Sequence, residues 1–498
     1  MSRVRLRLSG AMAFMSNVIS YLTGLIFTVF ITRRLSENDF GVWALIGTFI
    51  SYSLIPFNLV TGWISRDAAR GKKVLESAAT LFALLTPLSI IIYTLAVLGS
   101  ATTINYSPQI MILGLIVLIS YILLTLGTAV QSGYAPQNLG IARIIFEAAK
   151  VIIAFYLVVT LRLGLVGALL TLSIAYLIQA SFLLQKSRPL LQKQAKKELI
   201  MKWLRGAPIN LVSTLSGALG AMDVVLMGLI TASAITVGYW QAAVTASALV
   251  TSTHVLMIGL GPRLISGGSQ KDLDAALNFG MMITIPVLFG FIVLSKDILW
   301  ILRPTYSEAW IAASILALRG VIEALGGISS TAIAAKDEFD SRDNISIKDF
   351  IKSKIFLLNK IGLILASFYI VAVACSLIIA QNMDKNTIEI ITIIATLSLT
   401  ITTISTLITI HLMGKITALK LTYRPLLKYI GSSCIMATIV YFLRTLLKHP
   451  SNILSAVGAI FLLTIIGALI YGLVLYFTSS EFRNYLKEAY SYIKGFRL

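Results

Sequence analysis

Charge is scarce in this chain. Of its 498 residues only 12% are Asp, Glu, Lys or Arg, about half the share of an ordinary soluble domain. Cysteine is nearly absent, and Cys375 and Cys434 each sit in an apolar run, so neither a disulfide framework nor a metal-ligand spacing is present. There is no glycine-rich phosphate loop with a following lysine, no His-Glu-x-x-His and no nucleophile beside a base, which excludes an embedded ATPase or hydrolase. No catalytic residue, metal ligand or cofactor is therefore expected. Of the two signs the acidic is the scarcer, 21 Asp and Glu against 41 Lys and Arg, for a net charge of +20. A nucleic-acid binder would need that charge on one face of a soluble fold; at 57% hydrophobic residues this chain has none to offer, and no nucleic-acid partner is expected.

What the sequence has in abundance is long apolar runs. Runs of about twenty residues cross a hydrocarbon core of roughly 30 Å. They predict an all-α polytopic membrane protein with 14 transmembrane helices. The first six lie near 11–31, 41–63, 76–99, 109–130, 141–161 and 163–184; the next six near 207–230, 233–261, 276–295, 309–335, 354–380 and 387–412; a last pair near 428–447 and 453–477. With the N-terminus inside, 30 of the 41 Lys and Arg fall in inner loops and tails, 8 in outer loops and 3 within spans. That asymmetry predicts an even number of spans with both termini cytoplasmic.

The stretch from Arg33 to Gly71 is written twice, 197 residues apart. Phe40-Gly41-Val42-Trp43 falls on Val237-Gly238-Tyr239-Trp240, Gly62 on Gly259, Arg66 on Arg263 and Gly71 on Gly268. A repeat this long, with spans inside it, predicts two pseudo-symmetric six-helix lobes of a transporter. The expected organisation is an N-terminal lobe at 1–184, a basic cytoplasmic connector at 185–206, a C-terminal lobe at 207–412, an extra helix pair at 413–477 and an amphipathic cytoplasmic tail at 478–498. The connector interleaves Lys186, Arg188, Lys193, Lys196, Lys197, Lys202 and Arg205 with Leu190, Leu191, Leu199, Ile200, Trp203 and Leu204, and reads as a helix lying on anionic lipid.

Polar groups at membrane depth are costly and mark candidate sites. Arg319 and Glu323 stand four apart in the tenth span, either as a self-neutralising pair or as a cavity pair whose Arg can meet an anion. Arg143, Glu147 and Lys150 share a face of the fifth span, with Lys150 about 13 Å of helix rise from its start. Asp223 has no basic residue within four positions and must be protonated, bind a cation or find Arg or Lys elsewhere. It shares a stripe with Ser213 and Ser216, as Asn17, Ser20 and Thr28 share one on the first span. Asp223, Glu147 and Glu323 are candidates for ion coupling or charge balance. Arg66 and Arg263 are repeat-equivalent at the inner ends of their spans, serving either as plain positive-inside anchors or as a pair that gathers phosphate.

Ile31-Thr-Arg-Arg-Leu-Ser-Glu-Asn-Asp-Phe-Gly-Val-Trp-Ala-Leu45 resembles the Arg-Leu-Gly-Pro-Glu-Glu-Tyr-Gly loop of the polysaccharide flippases of the multidrug/oligosaccharidyl-lipid/polysaccharide exporter superfamily. Arg34, Leu35, Glu37, Phe40 and Gly41 keep the pattern, whereas Ser36 replaces the first glycine and Asn38-Asp39 alters the acidic pair. Leu163 to Ala168 resembles the family's second motif, a glycine-x-x-glycine-alanine turn; its counterpart at Gln381 to Lys385 lacks the glycines. The resemblance implies two bundles facing a cavity and a flippase, not an enzyme, that carries an isoprenoid (pyro)phosphate-linked oligosaccharide from the cytoplasmic to the outer leaflet. It implies a cell (plasma or inner) membrane setting and a headgroup phosphate met at Arg66 and Arg263, to which the residue reading adds Arg319 and Lys150 within the cavity; glycan assembly enzymes are the expected protein partners and a monomer the expected state. The alternative is a multidrug or cation antiporter of the same superfamily.

Overall fold

The computed structural model describes residues 20, 23–191, 193–253, 264, 269–335, 337, 350–417, 423–447 and 452–495. Asn17, Arg263, most of the first expected span and the end of the eighth lie outside the described residues. The described residues form helices throughout, with no strand among them.

The chain begins with helical residues 23–34 (α1), then Glu37–Ser53 (α2), Ile55–Ala69 (α3), Leu75–Ile104 (α4), Pro108–Ile112 (α5), Gly114–Tyr134 (α6), Gln137–Ala154 (α7), Gly164–Ser187 (α8), Lys197–Gly220 (α9), Met222–Ile230 (α10) and Ala234–Thr251 (α11). It continues through Gln270–Leu302 (α12), Trp310–Ala335 (α13), Lys354–Asn382 (α14), Thr387–Thr417 (α15), Arg424–Leu446 (α16), Ile453–Thr478 (α17) and Ser480–Gly495 (α18). Among the described residues ten helices are long and apolar enough to cross a membrane, and eleven when α2 and α3, bent by 54° at Leu54, count as one broken span. Each falls on one of the expected spans. The bend sits where Pro56 enters α3, a first-turn position that proline favours. The fifth expected span, α7, is not among the eleven because it carries Arg143, Glu147 and Lys150.

The loop that opens α2 is fixed by side chains. Ser36 caps the helix, accepting from the Asp39 amide at 3.0 Å and donating to its carboxylate at 2.8 Å. Asp39 also accepts from the Tyr106 hydroxyl, 2.6 Å away in the turn between α4 and α5; burial, and then that carboxylate, push the tyrosine's pKa up. The serine that departs from the family pattern thus supplies the capping group.

The chain divides into two compact units, one of Met1–Gln241, Ile345–Lys352 and Asn359–Ile390, the other of Ala242–Asn344, Ser353–Leu358 and Ile391–Leu498. In the first, glycines set the closest approaches. A methyl on Gly133 of α6 would overlap the Ser65 carbonyl of α3, and one on Gly206 of α9 would lie against the Trp63 indole. In the second, the bidentate pair of Arg444 with Asp297 ties α16 to α12, and the Tyr471 hydroxyl of α17 donates to the Met282 carbonyl at 2.7 Å.

The connector departs from the surface-lying helix expected of it. Its second half is the start of α9, with Trp203 fully buried. The indole of Trp203 donates to Asp67 at 3.0 Å, and Lys202 reaches both carboxylate oxygens at 2.8 and 2.9 Å. A buried carboxylate needs donors, and those that Asp67 draws in come from this segment and from Lys72 at 2.9 Å. The tail helix α18 lays Tyr485 edge-on against Phe279 of α12, with ring centroids 6.0 Å apart.

Candidate functional site

A cavity of about 940 Å³ opens within the first unit. Each wall is one helical stripe. Asn58, Thr61, Gly62 and Ser65 come from α3; Tyr121, Thr125, Thr128 and Ser132 from α6; Leu139, Arg143, Phe146 and Lys150 from α7; Leu172, Tyr176 and Gln179 from α8. Steps of three and four residues keep one face turned to the space. The lining residues span 58–65 of α3, 121–132 of α6, 139–150 of α7 and 172–179 of α8; α3, α6 and α8 run on from there to the connections at 70–74, 135–136 and 188–196, and α7 starts at the second of these. Ser132 donates to Ser65 at 2.9 Å where α6 meets α3.

The charges of this cavity are built on α7. Glu147 is fully buried, and its two carboxylate oxygens are shared. One accepts from Arg143 Nε at 3.1 Å; the other takes Lys150 Nζ at 2.5 Å and the Thr23 hydroxyl at 2.6 Å. Arg143 also donates to Ser20 at 3.0 Å. Lys150 is buried to 7% exposure, with its ammonium 5.2 Å from the Phe27 ring centroid and 5.0 Å from that of Phe146. Such cation–π contacts contribute about 1–2 kcal/mol when desolvated, and they hold the charge on the cavity wall. Two cations on one carboxylate leave one positive charge in excess, and both cations line the cavity.

The structure brings Ser20, Glu147 and Lys150 together and places the other described candidates elsewhere. Thr28 turns its hydroxyl back to the Gly24 carbonyl at 2.8 Å. Arg66 lies with its guanidinium 5.3 Å over the Trp63 ring, beside rather than in the cavity lining. The Asp223 carboxylate accepts from the Tyr369 hydroxyl of α14 at 2.8 Å and from the Val224 amide at 2.7 Å. Ser213 donates within its own helix to the Asn210 carbonyl, and Ser216 faces Gly362 of α14. In the second unit Arg319 donates to Ser398 at 2.8 Å and stands 3.7 Å from Glu323, which is 60% exposed.

The sequence reading missed the neutral part of the cavity. The polar stripes at 58, 61 and 65 and at 125, 128 and 132 were visible as periodicity, but they carry no charge to draw attention to them.

The helices and this cavity define an all-helical polytopic membrane protein class. Against solved structures the chain is similar to "Lipid II flippase MurJ, inward closed conformation", with TM-score 0.62 and 15% identity over 96% of this chain and 99% of that one. It is similar to an inward-facing multidrug resistance MATE family transporter of the MOP superfamily, with TM-score 0.56 and 13% identity over 80% of this chain and 96% of that one. A MATE in complex with MaD3S gives TM-score 0.53 and 15% identity over 83% of this chain and 96% of that one. At these identities the likeness is one of fold, and the resemblance read from the sequence holds at that level. No protein-family model matches the sequence, and no curated protein matches it.

Proposed function

We propose that the protein is a flippase that moves an isoprenoid (pyro)phosphate-linked oligosaccharide from the cytoplasmic to the outer leaflet by alternating access. The observation that carries this reading is the cavity wall on which Arg143 and Lys150 share the single carboxylate of Glu147. An anionic phosphate entering there completes the charge balance, and the surrounding hydroxyls and amides suit a glycan. Cations face the space while the acid lies behind them, so a cationic drug meets repulsion first. The cavity's end of the bundle adjoins connections that carry Arg70, Lys72, Lys73, Arg188, Lys193 and Lys196, which supports its opening toward the cytoplasm.

In this reading fourteen spans form two six-helix lobes and an extra pair, with both termini inside. Arg66 and Arg263 gather the headgroup at the inner mouth, and Arg319 and Lys150 balance it further in. Fold likeness to a lipid II flippase supports a lipid-linked glycan as cargo. Likeness to the MATE transporters supports the second reading, a multidrug or cation antiporter.

The test is to deplete the protein in its native cell and determine which leaflet holds the isoprenoid-phosphate glycans. Accumulation of one complete lipid-linked oligosaccharide on the cytoplasmic side is expected. Unchanged lipids with altered sensitivity to cationic drugs would establish the antiporter instead.

A further inference from the structure

We infer that the two cavity cations have different tasks: Arg143 grips a phosphate through its two terminal amino groups, while Lys150 does not touch the ligand and acts through Glu147 to position that guanidinium. The inference rests on the flippase reading and names the side chain that meets the phosphate of the cargo.

Both hydrogen bonds that Arg143 makes with described residues leave from Nε, one to Glu147 at 3.1 Å and one to Ser20 at 3.0 Å. Glu147 stands one turn further along the same face of α7, and Ser20 just before α1. The guanidinium also lies over Phe146, with Cζ 5.6 Å from the ring centroid. The Nε edge and one face are thus spent on the protein. What remains is the end carrying Nη1 and Nη2, on a side chain that is 52% exposed and lines the cavity. A planar fork of this kind matches two oxygens of one phosphate. Because Glu147 and Ser20 hold it in place beforehand, less side-chain freedom is lost on binding.

Lys150 is placed otherwise. It too borders the cavity, but its side chain is 9% exposed. Its ammonium meets the Glu147 carboxylate at 2.5 Å and lies 5.2 Å from the Phe27 ring centroid and 5.0 Å from that of Phe146. An anion could reach it only by displacing a carboxylate or a ring. Lys150 and the Thr23 hydroxyl occupy one oxygen of Glu147, which leaves the other for Arg143. A buried carboxylate must be neutralised, and Lys150 does so from within the wall. The pair is neutral by itself, so the positive charge left over stays on Arg143, the member that faces the space.

The experiment uses the full chain purified in detergent and titrated calorimetrically with a polyprenyl monophosphate and with the neutral polyprenol of the same length. Wild type should bind the phosphate about ten-fold more tightly, the equivalent of one good charged contact. Arg143→Gln should abolish that gain, and Arg143→Lys should restore only a small part of it. Replacing the neutral pair together, Glu147→Gln with Lys150→Met, keeps the net charge of the cluster and leaves an amide oxygen to accept from Nε, so its gain should stay within about three-fold of wild type. Loss of the gain in that double variant with its melting curve intact, or survival of the gain in Arg143→Gln, overturns the assignment. Footprinting of wild type keeps the test open should the double variant unfold. Phenylglyoxal labelling of Arg143, located by mass spectrometry, should slow with polyprenyl phosphate and not with phosphatidylglycerol. No slowing with the first overturns the grip, and equal slowing with both gives the fork to bulk lipid and overturns the cargo contact. A wild type that binds the phosphate no better than the polyprenol, with Arg143→Gln indistinguishable from it, would overturn the flippase reading itself and this inference with it.

Discussion

Gly41 of α2 and Gly238 of α11 pack against each other with reciprocal contacts. A methyl on Gly41 would overlap the Ala234 carbonyl, and one on Gly238 would lie 2.6 Å from the Glu37 carbonyl. Positions 37 and 234, and 41 and 238, are partners in the 197-residue repeat. Residue 37 therefore meets 238 as 41 meets 234, the signature of a local two-fold contact. Within the first unit the two glycines are therefore each other's contact surface.

Alanine at either position should force α2 and α11 apart, at about 1–3 kcal/mol or more, the range for overpacking. Detergent melting curves should show Gly41→Ala and Gly238→Ala both destabilised. Gly47→Ala, on the same helix with open space at its Cα, should be neutral or slightly stabilising through helix propensity. Equal melting of all three would contradict the packing.

Asp67 joins three segments through one carboxylate. Asp67→Ala should strand the buried Trp203 indole N–H, while Lys72 and Lys202, each 44% exposed, remain able to reach water. The expected loss is accordingly about 1–3 kcal/mol, that of an unsatisfied buried donor, rather than the larger cost of an abandoned buried ion. Asp67→Asn should recover part of it, because the amide oxygen can still accept from the indole. Limited proteolysis near 191–197 would report the freed connector directly.

The spans were legible because hydrocarbon thickness imposes a length and hydropathy that a window of sequence carries. The two copies of Phe/Val-Gly-Val/Tyr-Trp were legible for the same local reason. Partner choice between distant helices was not. Nothing near Asp223 points to Tyr369, 146 positions on. Trp203 looked lipid-facing because an apolar ring among lysines reads alike whether it faces lipid or the Asp67 carboxylate. The charged triad of α7 was legible through its helical spacing, but the uncharged walls opposite it became a site only when α3, α6 and α8 were brought together.

Glu147 and Lys150 provide a test of coupling. Glu147→Gln leaves Lys150 buried with its countercharge gone, and Lys150→Met leaves Glu147 with Arg143 and Thr23 as remaining donors. Glu147→Gln should be the more destabilising, by about 3–5 kcal/mol, and the double variant should be more stable than that single variant. Thermal melts of the three variants give the coupling energy. Additive effects would mean that the pair does not interact as its geometry indicates.

Arg319 carries the sharpest functional prediction in the second unit. Its Nη1 is held by Ser398 and its Nη2 stands 3.7 Å from Glu323, while its Nε is buried with no hydrogen-bond partner among the described residues. With Glu323 largely exposed, that ion pair contributes at most about 1 kcal/mol, so losing it should scarcely move the melting temperature. A guanidinium whose side chain is one-third exposed beside a weak countercharge is suited to receive an anion. On the flippase reading, Arg319→Gln should therefore reduce flipping at least ten-fold with folding preserved, and Arg319→Lys should restore only part of it, because a point charge cannot reproduce the planar fork. Wild-type flipping by Arg319→Gln in reconstituted vesicles would remove Arg319 from the proposed mechanism and leave the cluster of Arg143 and Lys150 as the candidate phosphate site.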